Sequence, residues 1–246
     1  MTTYRYSTTT PIGTRGILGL IALQADETIE QDMRQMFPDP DVAVYVSRVP
    51  SDPQVRQDTL AQMDAALTGA AALFPQSLEF DIVGYGCTSG TSVIGAAAVA
   101  SRVHAGCRTR QGTQPVSALQ AACAVLGVQR LAFLSPYIAD VSAALRRTLA
   151  EGGIECPAFG SFDEAEEARV ARLDPADIFR AGRDLGQAGD TDALFLSCTN
   201  LRTLGVIEPL ELELGKPVLS SNQVLAWHMA HEAGSPARIP GRLGKS

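Results

Sequence analysis

The sequence predicts an α/β fold of two pseudo-symmetric lobes, each a parallel sheet flanked by helices, with the active site in the cleft between them. Three observations lead there. Short runs rich in Val, Ile, Leu and Phe recur with Ala-rich stretches of helical length between them, the pattern of buried parallel strands covered by helices. The two halves then repeat one plan, and in each a late apolar run ends in Cys-Thr followed by Ser or Asn. Finally, 246 residues with 46% hydrophobic and 19% charged side chains suffice for two lobes of roughly 100–120 residues each.

Taken in order, the expected strands are Ile17–Leu23, Val42–Arg48, Ile82–Gly86, Leu131–Ser135, Leu194–Ser197 and Val218–Ser220. The expected helices are Thr28–Met36, Gln54–Leu73, Ser92–His104, Ser117–Leu126, Ala139–Glu151, Pro175–Leu185 and Asn222–Ala233. The first half runs from Ile17–Leu23 into a helix and later from Ile82–Gly86 into Cys87-Thr88-Ser89; the second runs from Leu131–Ser135 into a helix and later from Leu194–Ser197 into Cys198-Thr199-Asn200. This order suggests an internal duplication. The first lobe is expected over residues 13–115 with 222–246, and the second over 116–221.

A net charge of −7 with scattered Lys and Arg argues against nucleic acid, because phosphate binding needs clustered cations. No apolar run reaches the roughly 18 residues of a membrane span, and the polar start does not read as a signal peptide. The expected setting is cytoplasmic, and the expected partner a small carboxylate or amino acid, with no nucleic acid and no membrane. A homo-oligomer is compatible with the chain, though no segment marks an interface. Cys87, Cys107, Cys123, Cys156 and Cys198 show no metal spacing and read as free thiols. Cys123 reads as a small buried apolar residue, and Cys107 and Cys156 as loop residues. His104, His228 and His231 share no metal site, and Trp227 and Met229 read as packing residues of the last helix. The glycines of Gly13–Gly19 precede or overlap the first strand, whereas a dinucleotide fingerprint must follow one. No metal and no cofactor are expected.

Cys87 and Cys198 stand apart because both follow strands at the sheet edge where α/β folds bind ligands. The stretch Gly84-Tyr85-Gly86-Cys87-Thr88-Ser89-Gly90-Thr91-Ser92 combines tight-turn glycines with hydroxyls leading into a helix near Ser92, a setting that favours a thiolate or a bound carboxylate. On opposite walls of one cleft, two thiols would supply acid and base to the two faces of one carbon.

Cys-Thr-Ser after one strand, Tyr137 in Leu134-Ser135-Pro136-Tyr137, and Ser-Cys-Thr after a later strand resemble the aspartate/glutamate racemase superfamily, in its maleate isomerase and arylmalonate decarboxylase branch. Ile21–Thr28, Ser197–Arg202 and Ser221–Trp227 are most similar to its ectoine-utilisation protein A group. The resemblance implies that Cys87 is the first catalytic cysteine and Cys198 its complementary acid or base. It implies that Thr88, Ser89, Tyr137, Thr199 and Asn200 line the substrate site. Arylmalonate decarboxylases carry glycine at the first cysteine position, so Cys87 argues against that activity. Where maleate isomerases carry two asparagines, this chain has Asp26 and Glu167. A carboxylate there would repel a second substrate carboxylate by about 4 kcal/mol at 4 Å and an effective dielectric of 20. The expected function is therefore a cofactor-independent two-cysteine isomerase or racemase of a small carboxylate or amino acid, such as a diamino acid of ectoine catabolism with a cationic end. The alternatives are a maleate cis–trans isomerase, an arylmalonate-type decarboxylase and a non-catalytic binding protein. Asp26 also reads as a cap for the helix after it, and Glu167 as a solvated surface charge.

Overall fold

A computed structural model describes residues 1–246, the side chains of residues 57 and 58 excepted. Eight strands form two four-stranded parallel sheets. The first holds β1 (Gly16–Leu23), β2 (Val42–Val49), β3 (Phe80–Gly86) and β4 (Thr109–Thr113); the second holds β5 (Arg130–Tyr137), β6 (Glu155–Glu164), β7 (Ala193–Leu196) and β8 (Val218–Ser220). Their orders are β2-β1-β3-β4 and β6-β5-β7-β8, the same plan twice. β3 leads to Cys87 and β7 to Cys198, so each cysteine follows a central strand.

The helices are α1 (Ile29–Met36), α2 (Gln57–Ala72), α3 (Thr88–Ile94), α4 (Ala96–Gly106), α5 (Pro115–Leu126), α6 (Ala139–Glu151), α7 (Glu167–Val170), α8 (Pro175–Gly186), α9 (Leu204–Leu214) and α10 (Ser221–Ala233). All six expected strands and six of the seven expected helices are present, within a few residues at their ends, and the structure adds β4, β6, α7 and α9. Cys156 accordingly lies in strand β6, not in a loop. The expected helix from Ser92 is instead two, α3 and α4, broken at Gly95, whose φ of 91° suits glycine.

The largest cluster of buried apolar side chains runs from Val83 and Tyr85 of β3 to Leu134 of β5 and Leu196 of β7, so the two sheets share one core. A second link crosses above the site. Val55 N–H donates to Ala165 O (2.9 Å) and Glu167 N–H to Pro53 O (2.9 Å), around an antiparallel bridge between Gln54 and Glu166. Trp227 and Met229 of α10 are buried, and the Trp227 ring stacks on His231. Among the described residues no helix is long and apolar enough to cross a membrane.

Candidate active site

Cys87 follows β3 and is itself the N-cap of α3, one turn earlier than the sequence suggested: its Sγ accepts from Gly90 N–H (3.1 Å). The side chain is buried, and burial pushes the thiol up to about 12, with the charge of Glu167 adding to the rise; the Gly90 N–H and the Tyr85 hydroxyl pull the other way. Residue 90 must be glycine for packing reasons. A β-carbon there would stand 2.7 Å from Tyr85 Oη and 2.8 Å from Cys87 Sγ.

Cys198 follows β7 with a φ of 115°; Asp163 is the other described non-glycine residue at positive φ. Such backbone is costly and persists where its surroundings over-determine it. Here Cys198 N–H donates to Ser221 Oγ (3.0 Å), which also accepts from Thr88 Oγ1 (2.8 Å). Thr199 Oγ1 donates to Gly86 O (3.2 Å), tying the turn to the end of β3. The Cys198 sulfur receives Asn200 N–H (3.3 Å) and meets Tyr137 Oη at 2.9 Å. Burial holds this thiol well above its ordinary value, and the charge of Glu167 raises it further.

Glu167 is not a solvated surface charge. It is 3% exposed, accepting from Tyr137 Oη (2.7 Å) at one carboxylate oxygen and from Asn200 Nδ2 (2.8 Å) at the other. Burial raises its pKa, and both hydrogen bonds oppose that rise. A tyrosine has one hydroxyl proton. When Tyr137 gives it to Glu167, the contact with Cys198 requires the thiol to be the donor, which is the protonated state of a general acid.

Asp26 does cap the following helix: its Oδ1 accepts from Thr28 and Ile29 N–H, each at 2.8 Å. Its Oδ2 is buried without a hydrogen-bond partner, and burial raises its pKa against these bonds and the charge of Arg48. Arg48 holds the surrounding turn through the carbonyls of Leu23, Gln24 and Asp26.

These elements close around a narrow cavity of about 10 Å³, room for one water molecule. Cys87, Thr88, Ser89, Tyr137, Glu167, Cys198 and Thr199 form its polar walls, and Leu23, Val55 and Leu60 its apolar side. Of the residues singled out from sequence, Asn200 and Asp26 stand behind these walls. Asn200 joins the two halves, since its Oδ1 accepts from Glu27 N–H (2.8 Å) and its carbonyl from Thr28 Oγ1 (2.9 Å). Sequence reasoning missed Tyr85 and Ser221 as partners of the cysteines. The position of Tyr85 in the glycine-rich stretch was a signal for the first; no local signal marks the second.

Residues 99–244 match the family described as arylmalonate decarboxylase. The chain belongs to that family. Relatives include the arylmalonate decarboxylase of Bordetella bronchiseptica, 34% identical over 49% of this chain and 50% of that protein, so this match spans half the relative's length. The maleate isomerase of Pseudomonas putida is 25% identical over 76% of this chain and 78% of its own. Among solved structures, a maleate cis–trans isomerase of Nocardia farcinica with a covalently bound succinylcysteine intermediate has a TM-score of 0.84 at 22% identity, covering 93% of this chain and 97% of that one, a likeness of fold. A liganded double mutant of arylmalonate decarboxylase, with a glycine changed to cysteine and a cysteine to serine, has a TM-score of 0.81 at 26% identity over 93% and 98% of the two chains.

Proposed function

We propose that the protein is a cofactor-independent isomerase in which Cys87 and Cys198 act together on a small unsaturated dicarboxylate of the maleate type. The observation that carries this is the shared cavity, bounded by both thiols, Tyr137 and Glu167; burial and the charge of Glu167 favour the protonated Cys198. Burial holds the resting Cys87 as a thiol, so it first gives its proton to solvent as the substrate enters; the thiolate then forms an S–C bond to one alkene carbon, while the Cys198 thiol gives its proton to the other. The former double bond rotates; Cys198 then recovers the proton, the S–C bond breaks and the trans alkene leaves. Atoms and electrons balance without a cofactor. Thr88, Ser89 and Thr199 line the space where carboxylate charge would build up.

Relatives named maleate isomerase and a neighbour holding a succinylcysteine intermediate support this reading over decarboxylation, as does cysteine at position 87. The repulsion anticipated from Asp26 weakens because it stands behind the cavity walls and burial favours its neutral form, and that from Glu167 weakens because Tyr137 and Asn200 each donate to one of its oxygens. A second reading has one observation in its favour: the Glu167 carboxylate in the cavity wall suits a substrate with an ammonium group. The same thiols would then racemise an amino acid, and a diamino acid of ectoine catabolism has the right charge. Fumarate formation from maleate, followed by absorbance, tests the first reading. Deuterium uptake at Cα of 2,4-diaminobutyrate in D2O without maleate turnover would replace it by the second.

A further inference from the structure

Asp32 lies on α1 and takes no part in the cavity, yet a two-bond path connects it to the second cysteine. Its carboxylate Oδ2 accepts from Asn222 Nδ2 (2.8 Å), and the same nitrogen donates to the carbonyl of Thr199 (2.7 Å), the residue after Cys198. Asp32 is 6% exposed, and Asn222 and Cys198 are 0% and 4% exposed. The two acceptors fix which way the amide points, because reversing it would set its oxygen against two others. Asn222 Oδ1 meanwhile is buried with no hydrogen-bond partner. An amide that leaves its own oxygen unpaired to hold two acceptors is constrained by its surroundings rather than by its own hydrogen bonding.

We propose that Asp32 is a positioning residue: through the Asn222 amide it holds the Thr199 carbonyl, and with it the left-handed backbone that turns the Cys198 thiol into the cavity. The inference rests on the two-thiol reading and adds to it a residue of the first half that controls the cysteine of the second. Ionised Asp32 is the stronger acceptor, so the clamp is tightest when the carboxyl has lost its proton. Burial pushes that carboxyl up to about 7; the Asn222 bond opposes the rise and the charge of Asp26 adds to it. Around it, α10 presents the neutral Asn222, and Glu27 and Arg202 border the same outer groove, along with Gln31 and Pro175. Through this groove Asp32 can exchange its proton without passing the substrate.

The test uses peptide-resolved mass spectrometry of iodoacetamide alkylation on the whole chain, which needs no turnover and so stands apart from the choice of substrate. In Asp32→Leu and in Asn222→Ala, Cys198 alkylation is expected to rise about threefold or more as the turn loosens, the double variant adding nothing. Cys87 and the remote, buried Cys123 should stay within about twofold of wild type. Asp32→Asn keeps an acceptor oxygen and cannot ionise. Its Cys198 reactivity should therefore stay at all pH near the level that wild type reaches below about 7, without the rise relative to Cys87 that wild type shows as pH falls through about 7. Unchanged Cys198 alkylation, multiplying effects in the double variant, or a parallel rise at Cys87 and Cys123 would overturn the proposal.

Discussion

Replacing Tyr137 with phenylalanine removes one oxygen atom, which touches both Glu167 and Cys198 (2.7 and 2.9 Å). All three side chains are buried, so water cannot readily take its place. A hydrogen bond to a charged group is worth about 1.5–3 kcal/mol net. If the hydroxyl supports Cys198 as its proton leaves for the substrate, losing it slows turnover by about 10- to 150-fold. The ring remains, so packing around Leu134 and Val141 should hold and KM should stay within about threefold. Initial rates with maleate over a range of concentrations measure both constants, and thermal melting checks the fold. A large rise in KM at unchanged kcat would refute the reasoning, because it would assign the hydroxyl to the substrate carboxylate rather than to the thiol.

Two further outcomes follow from the geometry. Gly90→Ala pushes a methyl group against Tyr85 Oη and Cys87 Sγ, so it should cost about 1–3 kcal/mol of stability and at least about tenfold in rate by displacing the thiol; wild-type values in both thermal melting and turnover would contradict this. Asp26, Asp32 and Glu167 all have pKa values raised by burial, so the folded state binds their protons more tightly than the unfolded chain. Their contribution to stability is therefore greatest in acid and is lost as pH rises from about 4 through their folded values. For Asp32, raised from 3.8 to about 7, the loss amounts to up to about 4 kcal/mol by about pH 8. Asp32→Asn should thus gain stability over wild type at about pH 8 in urea unfolding and lose that advantage near pH 4; an advantage independent of pH would refute the assignment.

The elements that sequence reading located are those whose chemistry is local. Val42–Val49 and Val218–Ser220 are edge strands too, but their apolar runs announce them. Thr-Arg-Gln-Gly-Thr of β4 and Glu155–Glu164 of β6 lie at sheet edges with largely half-exposed or exposed side chains. Edge strands of that kind carry polar residues and lose the apolar signature. The start of α3 was hidden because Thr88-Ser89-Gly90-Thr91 are poor helix formers; packing and the Cys87 cap override propensity there. Both cysteines were legible because a Cys-Thr turn after a buried strand is a local signal. Ser221, Asn222 and Asp32 were not, since their roles arise only when α1, α10 and the turn after β7 meet. Glu167 shows the same limit: its residue type suggests solvent, and its burial comes from the 53–55 segment folding across it.

The claim that Cys87 attacks while Cys198 handles the proton is tested most directly by trapping. Cys198→Ser keeps a hydroxyl in place of the thiol but cannot return the proton as readily. Incubated with maleate and measured by intact and peptide mass spectrometry, it should accumulate one substrate equivalent bound to Cys87. An unmodified Cys87 in that variant, with wild type converting maleate to fumarate, would contradict the account.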